Sequence, residues 1–142
     1  MNNILKFKIA TPERVVYEDE VKQVSIPTTT GEITILPNHI PLVSVIQAGE
    51  MKIVDKEGEH VLAIASGFVE VRANNEVIIL ADHAERAEEI DLEQAEEARK
   101  RAEKEIVEAR DREDVDYARL QGMMDKEMNR IRVGKKYKQV RK

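Results

Sequence analysis

Residues 91–133 read DLEQAEEARKRAEKEIVEARDREDVDYARLQGMMDKEMNRIRV, and their periodicity and charge decide the architecture of the C-terminal part. Leu92, Ala95, Ala98, Ala102, Ile106 and Ala109 recur at spacings of three and four, which places them on one helical face. Asp91 with Gln94 three residues on is a capping-box pattern, and Glu93, Glu96 and Glu97 put negative charge where the helix dipole favours it. Glu96 with Lys100, Glu97 with Arg101 and Glu108 with Arg112 are acid-before-base pairs for the solvated side. A second start signal follows at Asp114, with Asp116 in the first turn. Tyr117, Leu120, Met124, Met128 and Ile131 continue as an apolar stripe, and Gly134 supplies the residue that ends the helix. Only Asp111 to Glu113 separate the two helices, so they are expected to be antiparallel neighbours.

The arms carry opposite charge. Residues Glu85 to Asp116 hold fourteen acids and seven bases, whereas Tyr117 to Lys142 hold two acids and nine bases. A hairpin that closes on its own charges can be opened by a competing acidic surface. One face offers mostly alanine, which buries little, while ordering each residue costs on the order of 1 to 2 kcal/mol of backbone entropy. Such a hairpin is marginal alone and is expected to dock on something.

Upstream, composition changes near Asp82. Leu5, Phe7 and Ile9 alternate with Lys6 and Lys8; Val24 with Ile26, Ile33 with Ile35, Met51 with Ile53, Val69 with Val71 and the run Val77 to Leu80 are further strand patterns. Turn punctuation falls at Thr30-Gly31, Pro37-Asn38, Lys56 to Glu59, Ser66-Gly67 and Asn74-Asn75. About nine short strands indicate a β-sandwich or flattened barrel. The fold class is α+β, strands first: an N-terminal β-sandwich over residues 1–84 and a C-terminal antiparallel two-helix hairpin over 85–142, with the boundary between Leu80 and Asp91.

The chain has 142 residues, 36% of them charged, a net charge of -5 and no cysteine. No run approaches the length of a membrane span, Met1 to Ala10 lacks the apolar core of a signal peptide, and disulfide and thiol chemistry are excluded. There is no phosphate-binding glycine loop, and His39, His60 and His83 are about twenty residues apart, without metal-ligand spacing. Ser25, Ser44 and Ser66 stand in no nucleophile-elbow context, and the acidic pairs have the spacing of solvated helix faces. The sequence reads as no enzyme, with no catalytic residue and no metal. The basic end Lys135 to Lys142 lacks interleaved aromatics beyond Tyr137, which argues against nucleic acid, and its helix has no Trp or Phe to anchor it in lipid. An acidic protein surface suits it better; a solubilising tail is the simpler alternative.

Gly31-Glu32-Ile33-Thr34-Ile35-Leu36-Pro37-Asn38-His39-Ile40-Pro41-Leu42 sets a strand, a Pro-Asn-His turn and a second proline in fixed order. With Ser66-Gly67-Phe68-Val69-Glu70-Val71, Leu80-Ala81-Asp82, Ala84-Glu85-Arg86-Ala87-Glu88 and Asp114-Val115-Asp116-Tyr117-Ala118, it resembles the epsilon-subunit family of bacterial F-type ATP synthases, from about Phe7 to Val133. The resemblance implies a non-catalytic rotor subunit of the central stalk, peripheral to the cytoplasmic face of the plasma membrane. Its sandwich would join the gamma subunit to the c-ring, with Glu32 facing the c-ring, His39 near gamma, and Pro37 and Pro41 stiffening an exposed turn. In a closed state the arms would pack together on the sandwich. In an extended state the second helix would reach up beside gamma, where Arg119, Lys126, Arg130 and Arg132 would meet an acidic loop of the catalytic beta subunits, with alpha also among the partners, and block hydrolysis. Pairing with the acidic first arm is the plainer role for those four.

Relatives in that family carry Ile/Leu-Asp-x-x-Arg-Ala at the start of the first helix, which some use to bind ATP. The resemblance maps a nucleotide site onto Glu85, Ile90, Asp91 and Gln94, but Gln94 stands where arginine is expected. Losing that cation removes a phosphate partner, so no cofactor is expected, ATP binding is weak or absent, and Asp91 with Gln94 reads first as a helix cap. A purely coupling subunit with a passive hairpin, or an ATP-sensing hairpin, are the alternatives.

Overall fold

The computed structural model describes residues 3–110 and 112–140; of the stretches read above, Met1, Asn2, Asp111, Arg141 and Lys142 lie outside them. Eight strands precede two helices: β1 (Leu5–Ala10), β2 (Val15–Val21), β3 (Gln23–Thr28), β4 (Gly31–Ile35), β5 (Leu42–Ile46), β6 (Gly49–Asp55), β7 (Gly58–Arg72), β8 (Glu76–Arg86), α1 (Leu92–Glu108) and α2 (Tyr117–Val140). The chain divides between Arg86 and Ala87 into two compact units.

In the first unit the strands run in the order β2-β1-β8-β7-β5-β3-β4, and β6 bridges β3 and β7. The pairs β3 with β6, β6 with β7, β7 with β5 and β5 with β3 close a ring, the flattened barrel that alternating short strands predict. Leu5, Phe7 and Ile9 of β1, Val24 and Ile26 of β3, Met51 and Ile53 of β6 and Val77 and Ile79 of β8 point inward at the period of two, and all are buried. β1 lies antiparallel to β2 but parallel to β8, where Phe7 faces Val77.

Ser66-Gly67, expected as a turn, lies inside the fifteen-residue β7. Ser66 takes φ 51°, bending the strand so that its first half pairs with β6 and its second with β5. Gly67 is there because backbones nearly touch: a Cβ would sit 2.1 Å from the Leu80 carbonyl oxygen. Two expected strands are therefore one, and the described residues hold eight. The other turns fall where expected, with Asn74 and Asn75 at positive φ between β7 and β8.

In the second unit α1 is capped by Asp91, whose Oδ1 accepts the Gln94 amide at 3.0 Å. α2 starts later than expected, because Asp116 rather than Asp114 caps it: Asp116 Oδ1 accepts the Arg119 amide at 3.0 Å. It also ends later. Gly134 is buried within α2, where a Cβ would come 2.8 Å from Leu92 Cδ2, so this glycine permits close helix approach and terminates nothing. Buried Ala95, Ala102 and Ala109 recur every seven residues on α1, as do Leu120, Glu127 and Gly134 on α2. This is the repeat of two helices packed at a shallow angle with a tight seam. The expected apolar stripe holds at Leu120 and Ile131, which are buried, but not at Met128, 49% exposed, or at exposed Tyr117, while Arg130 and Val133 are buried instead.

Candidate functional site

The turn between β4 and β5 is exposed yet pinned. The His39 amide donates to the Leu36 carbonyl at 3.2 Å, and the Asn38 amide, at φ 70°, donates to Asn75 Oδ1 at 2.6 Å in the β7–β8 turn. His39 Nδ1 lies 2.7 Å from the Ile40 carbonyl, which can only accept, so Nδ1 carries the proton. Pro37 and His39 are half-buried, Pro41 is exposed, and Glu32 is exposed on β4 opposite Pro27. Ile40, at the tip, is 75% exposed.

Beside this turn lies a row that the sequence reading did not single out. Val45 of β5 is opposite Phe68 of β7, which is opposite Leu80 of β8, and all three project from the barrel's outside. Phe68 is 56% and Leu80 59% exposed, and Val43 continues the patch. Phe68 and Leu80 also line a shallow groove of about 710 Å³, together with Thr11, Pro12, Ser66 and Asp82. The available signal was β5 itself: Leu42-Val43-Ser44-Val45-Ile46 is apolar at both phases of the strand period, so both of its faces ask for cover.

On the hairpin the four candidate cations separate. Arg119 and Arg132 are exposed and Lys126 half-buried, but Arg130 is only 7% exposed. Arg119 stacks along its own helix, with Nη1 3.5 Å from Met123 sulfur, and Arg132 donates to Asn129 Oδ1. Lys126 Nζ lies 3.4 Å from Glu127 Oε2. Arg130 Nη1 donates to Glu127 Oε1 at 2.6 Å and, across the seam, to Gln94 Oε1 at 2.7 Å. On α1 the acid–base pairing centres on Arg99, which reaches Glu96 at 3.3 Å and Glu103 at 3.0 Å, so Glu96 pairs one residue earlier than expected.

Of the residues assigned to a nucleotide, Asp91 and Gln94 come together through the cap, and buried Ile90 lies beside Gly134, whose Cβ would be 3.1 Å from Ile90 Cγ2. Glu85 is half-buried on β8. Gln94 thus spends its backbone amide on the Asp91 cap and its side-chain oxygen on Arg130.

A polar cluster that histidine spacing alone did not suggest closes one end of the barrel. Asp55 Oδ2 accepts the Tyr17 hydroxyl and His60 Nε2, each at 2.8 Å, and Oδ1 accepts the Glu57 amide at 2.8 Å. Asp55, Glu57 and His60 bring their ligand-type atoms within 4.8 Å of one another. Both Asp55 oxygens already have donors, so Asp55 with Tyr17 and His60 reads as a clamp joining β2, β6 and β7. Burial pushes the Asp55 carboxyl up, but the Tyr17 hydroxyl, the Glu57 amide and His60 outweigh it and hold the group below its ordinary range. Burial and then the Asp55 carboxylate push the Tyr17 hydroxyl well up.

The family model of the ATP synthase delta/epsilon chain β-sandwich domain matches residues 4–87, and that of the delta/epsilon chain long α-helix domain matches residues 88–135. An ATP synthase epsilon chain of Ligilactobacillus salivarius (strain UCC118) is 38% identical over 135 residues, covering 94% of this chain and 96% of its own length. Another, from Dehalococcoides mccartyi (strain CBDB1), is 50% identical over 99 residues, 70% of each chain. Among solved structures, a chain of the Euglena gracilis mitochondrial ATP synthase, in an OSCP/F1/c-ring assembly, aligns with TM-score 0.68 at 21% identity, covering 92% of this chain and 80% of that one. A chain of the Tetrahymena thermophila mitochondrial ATP synthase central stalk and c-ring aligns with TM-score 0.56 at 17% identity, over 94% and 95%. Those two likenesses are of fold.

Proposed function

This chain belongs to the ATP synthase delta/epsilon family as an epsilon chain, a non-catalytic subunit, and on that premise we propose that it couples gamma to the c-ring in the rotor and restrains ATP hydrolysis through its hairpin. The observation that carries the coupling role is the exposed apolar row Val45, Phe68 and Leu80, flanked by Val43 and by the pinned turn with Ile40. Contiguous apolar patches of this kind mark protein-binding surfaces. Gamma is the partner proposed for that row and for His39. Glu32, exposed on β4 opposite Pro27, is offered to the c-ring.

The brake is assigned to α2. Arg119 and Arg132 already face solvent and Lys126 partly so, which suits them to an acidic surface on the beta subunits. Arg130 would join them only after leaving the seam. Nucleotide has a small part in this scheme, since Gln94 brings no charge to a phosphate. The site proposed for the subunit is the cytoplasmic face of the bacterial membrane, within the complex; among the described residues no helix is long and apolar enough to cross a membrane.

One experiment tests both roles: ATP hydrolysis and complex assembly, measured with the full chain, with a chain ending at Ile90, and with Phe68→Asp. The truncated chain is expected to assemble and to release hydrolysis severalfold. Phe68→Asp is expected to fold but to weaken assembly more than tenfold, since it buries a charge in the centre of an interface. Unchanged hydrolysis with the truncated chain would leave the hairpin as a passive brace, and unchanged assembly with Phe68→Asp would move gamma elsewhere.

A further inference from the structure

Alanines line the α1 side of the hairpin seam while α2 buries Leu120, Ile131 and Val133, so the apolar contact is one-sided and the buried polar groups add to what keeps it shut. Opening treats the bonds from Arg130 to Glu127 and to Gln94 differently. Glu127 lies three residues from Arg130 on the same helix and moves with it, so their ion pair survives. Gln94 is on α1, and its bond exists only while the helices are together. A contact shifts a two-state equilibrium only through what it contributes to one state and not the other.

The position of the pair matters as much. One end of the hairpin is held by the chain connection, where the Tyr117 hydroxyl donates to the Ala109 carbonyl. Gln94, in the first turn of α1, and Arg130, one turn before Gly134, sit towards the opposite end, where no covalent link holds the helices.

We propose that Gln94 and Arg130 form a clasp that keeps the free end of the hairpin shut without a bound ligand. The carboxamide supplies an uncharged acceptor: the bond is charge-assisted, yet no second anion is buried, because Glu127 already neutralises the guanidinium. The Asp91 cap uses the Gln94 backbone amide, so clasp and cap are separable by substitution. The proposal rests on the reading that the hairpin opens in use.

Native-state hydrogen exchange on the full chain tests it, with the α1 amides from Ala95 to Ala102 as reporters. Gln94→Ala keeps the cap and has the higher helix propensity, so faster exchange cannot come from a weaker helix. The expected result is about tenfold lower protection in Gln94→Ala, the scale of one charge-assisted hydrogen bond. Gln94→Glu keeps an acceptor but sets a second carboxylate beside Glu127, so it retains more protection than Gln94→Ala, and millimolar ATP with magnesium leaves the wild type unchanged. Equal protection in wild type and Gln94→Ala overturns the clasp, as does a tenfold gain in wild-type protection with ATP. Gly134→Leu forces the seam apart by bulk and sets the scale of the fully opened state, so a silent Gln94→Ala is a real negative. Failure of the brake reading shows separately, as hydrolysis that does not respond to removing the hairpin.

Discussion

The barrel and the hairpin hold together by different means. Leu5, Ile26, Ile53, Leu62 and Ile79 are wholly buried in the barrel, and side chains of that size contribute roughly 1.5 to 3 kcal/mol each. The hairpin seam is lined on one side by Ala95, Ala102 and Ala109, and it buries Glu127, Asn129 and Arg130. An interior of interdigitated large side chains admits one arrangement. The α2 side adds Leu120, Ile131 and Val133, so the seam mixes apolar contacts with polar groups that water can satisfy once it is parted. A fixed body joined to a separable arm suits the coupling and braking roles proposed above.

The sharpest way to break this contrast is Leu62→Ala in the barrel against Met128→Ala on the exposed side of α2. The first is expected to cost about 3 kcal/mol, read as a fall in the urea midpoint. The second is expected to stay within about 0.5 kcal/mol; a comparable cost would mean that α2 is packed as tightly as the barrel.

A smaller effect separates the two polar sites. Asp55→Asn is expected to cost about 1 to 2 kcal/mol at neutral pH by weakening the clamp. The sign follows from the shifts. The folded Asp55 carboxyl titrates below its ordinary 3.8, so its contribution is complete above that pH and is lost as pH falls through the depressed folded value. The folded Tyr17 hydroxyl titrates above its ordinary 10.0, so its contribution is complete below that pH and fades as pH rises beyond it. Stability measured against pH should therefore flatten on the acid side in Asp55→Asn. An unchanged acid limb would show that other carboxylates govern it.

The smallest expected effect is Asp91→Ala, about 1 kcal/mol from loss of one cap, confined to the hairpin and read as faster exchange in the first turn of α1. Any shift of the barrel's unfolding midpoint would show the two units to be coupled.

What could be read from residues alone follows the same division. Wherever one face of a strand is buried and the other wet, alternation located it: β1, β3, β4 and β6 were visible in this way. β2 was not, since Glu18, Asp19 and Glu20 break its alternation; this acidic run protects an edge strand from pairing with other chains. Two glycines misled because a close backbone or helix approach leaves the same residue as a turn or a helix stop. Gly67 lies against Leu80, and Gly134 against Leu92. Charge separation between the arms was plain, but burial of Arg130 was not, because helical period does not say which side of α2 the alanine seam selects. The exposed row Val45, Phe68 and Leu80 was hidden for a related reason: apolar residues announce that they are covered, and not by whom.

The parallel contact of β1 with β8 sets an order of events during synthesis. Phe7 cannot meet Val77 until the ribosome has released nearly the whole barrel, so the first strand to emerge is among the last to be paired on that side. Until then Leu5, Phe7 and Ile9 have only β2 for company, and a nascent chain paused before β8 presents them to chaperones. The helices that follow close on near neighbours and can form as they emerge. The barrel's first strand thus waits for its last before that side of it is paired.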